Sequence, residues 1–153
     1  MDRITSKKFG FTMIEVMGAI FILSVGILGS YIIIQNTLAL TFSSASRLSA
    51  AYLAEEGIEI VRNIRDTNWV SGNSWDYGLA DGSYQVSYND YSLSPYSTGL
   101  VNYAAGSNNK FRRRITLSMQ TDGSIEVVSE VMWQERGGVA GTVISQSYLY
   151  DWK

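Results

Sequence analysis

The 153-residue chain contains no cysteine and no histidine. Those absences remove disulfides, thiolate and imidazole metal sites, Ser-His and Cys-His nucleophile pairs, and a histidine pH switch. They leave the redox compartment open, because a domain of this size can fold on its apolar core alone. Proline is nearly absent as well. Pro95 is the single one, so no ring breaks a helix in the first 94 residues. Charge is scarce over a long stretch: Glu15 is the lone charged residue between Lys8 and Arg47. Twelve basic against fourteen acidic residues give a net charge of −2, too small to call for a polyanionic partner. Without residues 1–10 the balance is nine basic to thirteen acidic, a net −4. No internal repeat is visible.

What the sequence does have begins with an apolar run. Residues 16–34, VMGAIFILSVGILGSYIII, are 19 uncharged residues, about the length a helix needs to cross a bilayer's hydrocarbon core. Roughly one hundred residues remain for one small domain. A secretory signal peptide would share the basic start (Arg3, Lys7, Lys8), the apolar core and small residues near Ser43 to Ala45. Yet the stretch from Phe11 to Ile34 exceeds an ordinary signal core, and an acidic residue at its entrance gains nothing there. A plain signal anchor accounts for the length and leaves Glu15 without a purpose. A carboxylate costs ~2.5–3.5 kcal/mol at the bilayer centre and less near the interface, so an intramembrane glutamate calls for a partner.

The segment KKFGFTMIEVMGAIFILSVGIL resembles the N-terminus of type IV prepilins and the related pseudopilins. In that family a basic leader ends in glycine, a prepilin peptidase cuts after it, the new N-terminal Phe is N-methylated, and a glutamate is the fifth residue after the cut. The resemblance therefore implies cleavage between Gly10 and Phe11, N-methylation of Phe11, and a filament-assembly role for Glu15, with Thr12 following the new N-terminus. It also implies residues 1–10 as leader, 11–35 as a single-pass membrane and assembly helix, and 36–153 as a pilin-like head. The implied partners are the peptidase and other pilin subunits. The implied location is the bacterial cytoplasmic membrane before assembly and an extracytoplasmic or cell-surface pilus afterwards.

Cleavage changes the electrostatics. The Phe11 nitrogen goes from a neutral peptide group to an amine of intrinsic pKa near ~7.7–8.0, cationic at neutral pH. In a helix it stands four residues from Glu15, and the resemblance implies that the glutamate meets the N-terminus of a neighbouring subunit. An ion pair in a dry core is worth far more than at a surface, and either charge left alone there is penalised. Where many pilins have a proline further along this helix, this chain has none. Gly18, Gly26 and Gly29 let helices approach closely, each at roughly 1 kcal/mol of helix propensity relative to Ala. Loosening on assembly is expected near Gly26 to Gly29.

Beyond Ile34 the helical pattern continues without proline. Leu48, Ala51, Ala54, Ile58, Val61 and Ile64 recur every three or four residues, so one apolar face is expected, with the helix ending near Asp66. Glu59 with Arg62 and Arg62 with Asp66 are weak exposed pairs. Residues 53–62, LAEEGIEIVR, resemble the spine helix of PilV-type minor pilins. Residues 67–110 read mostly as loop, with Asp81-Gly82 a turn and 83–89 a short strand. In FRRRITLSMQ, Phe111, Ile115, Leu117 and Met119 share one face, interrupted by Arg113, while Arg112, Arg114, Thr116 and Ser118 face the other way. A turn at Thr121 to Ser124, a strand over Ile125 to Gln134, a connection over Gly137 to Gly141 and a last strand over Thr142 to Trp152 complete the pattern. The expected class is α+β: a long N-terminal helix on an antiparallel sheet of three or four strands.

Other chemistry is thinly supported. Asn68, Asn73, Asp76, Asp81, Asn89 and Asp90 offer oxygen ligands for calcium, but their spacing matches no EF-hand loop and such residues are those turns require. Arg112, Arg113 and Arg114 alternate between faces, so they make no basic stripe for nucleic acid. Tyr77, Tyr84, Tyr88, Tyr91, Tyr96 and Tyr103, with Trp69 and Trp75, suit a contact surface for protein or glycan, and equally a small head burying large side chains. No cofactor and no catalytic residue is read. The function expected is that of a structural, minor subunit of a type IV pilus-like filament. The alternatives are a pseudopilin of a type II secretion or DNA-uptake machine, and a membrane-anchored binding protein.

Overall fold

Helix α1, Met13–Val70, runs for 58 residues because no proline and no cluster of turn-forming residues interrupts it. The computed structural model describes residues 10–86, 90–97, 110–135 and 138–152. Among the described residues five strands follow the helix: β1 Gly82–Gln85, β2 Ser94–Pro95, β3 Phe111–Met119, β4 Ile125–Gln134 and β5 Ala140–Leu149. They form one antiparallel sheet in the order β2-β1-β3-β4-β5. The α+β class is as expected, with five strands where three or four were foreseen. The extra one, β2, pairs Tyr84 with Pro95 and Gln85 with Ser94. A two-residue edge strand carrying a proline has no alternation for a sequence reading to detect.

The helix also ends later than Asp66. Gly72, at φ +73°, takes the left-handed position that closes it. Its N–H bonds the Trp69 carbonyl at 3.2 Å and the Asn73 N–H bonds the Asn68 carbonyl at 3.0 Å, a Schellman end. Thr67 to Val70 contain no breaker, so the last turn persists until that glycine. Asn68 is buried there, and its amide donates to the Trp75 and Tyr77 carbonyls at 3.1 and 2.8 Å, tying the following loop to the helix. The final strand runs over Ala140–Leu149 rather than Thr142 to Trp152, and Gly137 of the expected connection lies outside the described residues.

The chain divides into two compact units, Met1–Phe42 and Ser43–Lys153. In the first, every described residue is exposed. In the second, α1 covers one face of the sheet through Ser46, Ala50, Ala54, Gly57, Ile58, Ile60 and Val61. The packed face differs from the expected one at its start: Leu48 is 58 % exposed, and small residues take its place. Their size permits a close approach, most plainly at Gly57, where an added Cβ would overlap the Ser129 hydroxyl and lie 3.1 Å from the Arg113 side chain.

The inward residues of the sheet alternate as the pleat requires, with Ile115, Leu117, Ile125, Val127 and Val131 buried. They divide into two clusters. One joins Ile58, Ile60, Val61, Leu79, Val86, Ile115, Leu117, Ile125, Val127 and Leu149; the other joins Ala50, Ala54, Val131 and Trp133. Along β3 the inward order is Phe111, Arg113, Ile115, Leu117, so a guanidinium stands between them. Arg113 is 1 % exposed and is satisfied by the Leu53 carbonyl at 2.8 Å and the Glu56 carboxylate at 2.9 Å. The residue that interrupts the apolar strand face thus reaches the helix.

Candidate processing and assembly site

Gly10, Phe11 and Thr12 precede the helix, and Phe11 is 83 % exposed. Thr12 caps α1: its carbonyl accepts from Glu15 N at 3.1 Å and Val16 N at 3.2 Å, and its Oγ1 accepts from Glu15 N at 3.4 Å. The sequence Thr12-Met-Ile-Glu15 is that of a capping box, of which the Thr12 hydroxyl half is formed. A carboxylate in the first helical turn also complements the positive end of the helix dipole. Gly10, Phe11 and Glu15 therefore lie within one exposed turn and a half of chain, which a peptidase or a neighbouring subunit can reach.

Past Glu15 the surface is apolar and uncovered. Met17, Ile20, Phe21, Ile22, Leu23, Ile27 and Leu28 are all more than half exposed, and the helix is long and apolar enough to cross a membrane. Its serine and threonine hydroxyls are satisfied internally. Ser24 donates to the Ile20 carbonyl at 2.7 Å, Ser30 to Gly26 and Thr37 to Ile33 at 2.9 Å each. Back-bonding of this kind lets Ser and Thr sit in hydrocarbon without an unmet donor.

The other candidate residues scatter. Asn68 is occupied by its loop carbonyls, Asp81 accepts from Met119 N, Asp76 accepts from Ser74, and Asp90 accepts from the N–H and hydroxyl of Ser92. Asn89 lies outside the described residues. Among the described residues no three acidic side chains converge as a metal site. Arg113 serves the helix, while Arg114 pairs with Glu130 and stacks over Tyr96 at 5.8 Å. Arg62 pairs with Glu59, and Asp66 takes Arg65 rather than Arg62. Trp75 and Tyr84 pack on the larger cluster, Tyr77 and Tyr91 are exposed, and Tyr88 and Tyr103 lie outside the described residues. Trp69 meets Trp152 edge-on at 4.4 Å with Arg65 over its ring at 4.8 Å.

Titration in the head is set by local hydrogen bonds. The hydroxyls of Ser124 and Ser92 hold the carboxyls of Asp122 and Asp90 below their ordinary value, and the Trp133 indole does the same for Glu135. Tyr148 is pushed up by the neighbouring Glu126 carboxylate that it bonds at 3.0 Å.

A long apolar N-terminal helix followed by an α+β head is a pilin-like layout. The family described as "Prokaryotic N-terminal methylation motif" matches residues 5–31, which supports a type IV prepilin-like protein. The match covers the residues just before Gly10 and most of the apolar run and leaves the sheet-bearing part of the chain outside it. It supports a protein of pilus or pseudopilus assembly. A 53-residue stretch is 38 % identical to the ribonuclease H of Schizosaccharomyces pombe, amounting to 35 % of this chain and 20 % of that enzyme. The chain thus spans a fifth of that relative's length, and the likeness is local. No solved structure matches the chain.

Proposed function

We propose that this chain is a structural, minor subunit of a type IV pilus-like filament, cut between Gly10 and Phe11, methylated on Phe11 and assembled through Glu15. Residues 1–10 act as leader, 11–35 as membrane and assembly helix, and 36–153 as the displayed head. The observation that carries the reading is an exposed apolar helix with one carboxylate in its first turn, next to a junction whose cleavage creates the matching cation. In the bilayer, lipid covers the apolar surface; in a fibre, neighbouring helices do, and the new amine and Glu15 of adjacent subunits neutralise one another. The subunit performs no chemical reaction. The cytoplasmic membrane stores it, and the fibre carries it outward.

Intact-mass measurement of the protein purified from its host membrane tests the processing step. The expected species begins at Phe11 and is one methyl heavier than the unmodified cut chain. A chain retaining residues 1–10 would favour the anchored binding protein instead. A secretion pseudopilin shares the same terminus, and surface-fibre labelling separates it, since its fibre stays within the envelope.

A further inference from the structure

The head holds α1 through two apolar clusters that do not merge. The cluster around Ile58, Ile60 and Val61 is large, whereas the one around Ala50 and Ala54 receives from the helix two methyl groups and the half-buried Leu53, and depends on Trp133 and Val131 for its buried bulk. Burial free energy scales with apolar area, so the alanine segment is held far less strongly than the isoleucine segment. Between them lies a seam of Gly57, Arg113 and Ser129. Gly57 contributes no side chain, Arg113 bridges to the Leu53 carbonyl, and the buried Ser129 hydroxyl has no hydrogen-bond partner among the described residues.

At the far side of the alanine segment sits a polar cluster. Ser46 is 5 % exposed and is the first buried residue of α1. The Lys110 ammonium donates to its hydroxyl and lies 3.7 Å from the Glu135 carboxylate, which accepts the Trp133 indole N–H at 2.7 Å. Helix, β3 entrance and β4 exit thus meet in one network of four side chains. The same Trp133 fills the alanine cluster and packs on Phe111 at 6.2 Å. Releasing Lys110 therefore loosens the network and the cluster together.

We infer that residues 46–54 of α1 form a segment that undocks from the sheet by itself, held shut by the Ser46, Lys110, Glu135 and Trp133 clasp, while residues 58–64 stay in place. Gly57 supplies the point of flexure, and Arg113 releases the Leu53 carbonyl as the segment leaves. A helix segment freed from tertiary contact is marginal in water, so undocking exposes both its backbone and its packed face. The device gives the head a way to yield over its first covered turns without losing its main core.

The absence of native cysteine makes single thiols clean probes. In the full chain in detergent, labelling rates are measured at Ala50→Cys and, separately, at Val61→Cys, each with and without Lys110→Met. Ala50→Cys is expected to label faster than Val61→Cys, and Lys110→Met to accelerate it about tenfold while leaving Val61→Cys within about twofold. Lys110→Arg should restore the slow rate, and Glu135→Gln should act in the same direction as Lys110→Met. Equal acceleration at both positions would show one cooperative head, and no acceleration at Ala50→Cys would show that the clasp holds nothing; either result overturns the inference.

Discussion

The first unit and the second solve opposite problems with the same helix. Up to Phe42, α1 presents its apolar side chains outward in every direction, and every described residue is exposed. From Ser46 onward the same helix buries small and branched residues on a sheet and turns charges such as Glu55 and Glu59 to solvent. The first half leaves its apolar surface uncovered by the described chain, and the second is covered by it. Glycine shows the contrast most directly. An added Cβ at Gly18, Gly26 or Gly29 meets nothing within 4 Å, whereas at Gly57 it meets Ser129 and Arg113.

The largest break in that comparison is expected from Gly57→Val. Overpacking at the seam should cost about 3 kcal/mol and lower the melting temperature of the head by more than about 10 °C, without altering membrane insertion. Unchanged melting would mean that the close approach of helix and sheet is not real. Gly72→Ala should cost less, about 1 kcal/mol, because a left-handed residue loses its Cβ-free conformer while nothing else is disturbed. Thermal denaturation followed by circular dichroism reads both. Smallest is Gly26→Ala, for which head melting and processing should stay as they are. Any loss of fibre incorporation in that variant would locate a helix contact supplied by a neighbouring subunit.

The two regions also differ in how far they could be read in advance. The apolar run and the carboxylate Glu15 at its entrance are contiguous and show in composition, whereas the Gly10-Phe11 junction is what the resemblance to prepilins implies. β3 and β4 were legible for a similar reason: Phe111 to Met119 and Ile125 to Gln134 alternate over nine and ten residues. What stayed hidden depends on tertiary contact. The inward turn of Ser46 and Ala50 in place of Leu48 reflects how closely the helix lies on the sheet, which periodicity cannot specify when small residues and leucine both fit the pattern. Arg113 was visible as an interruption, but its partners, Leu53 and Glu56, are about sixty positions away. β2 is too short for any pattern, and the Schellman end at Gly72 lies inside the Asn-, Ser- and Gly-rich stretch 67–110 whose composition reads as loop.

One variant separates the uses of Glu15. Glutamine at the same place suits a capping box equally and removes the charge, so Glu15→Gln leaves the helix start intact while deleting the proposed ion pair. An unpaired cation in a dry core costs about 3–5 kcal/mol, so incorporation into fibres should fall by on the order of a hundredfold or more at native expression. Cleavage after Gly10 and membrane insertion should remain normal. Fibres that incorporate the Glu15→Gln subunit at the wild-type level would contradict the account.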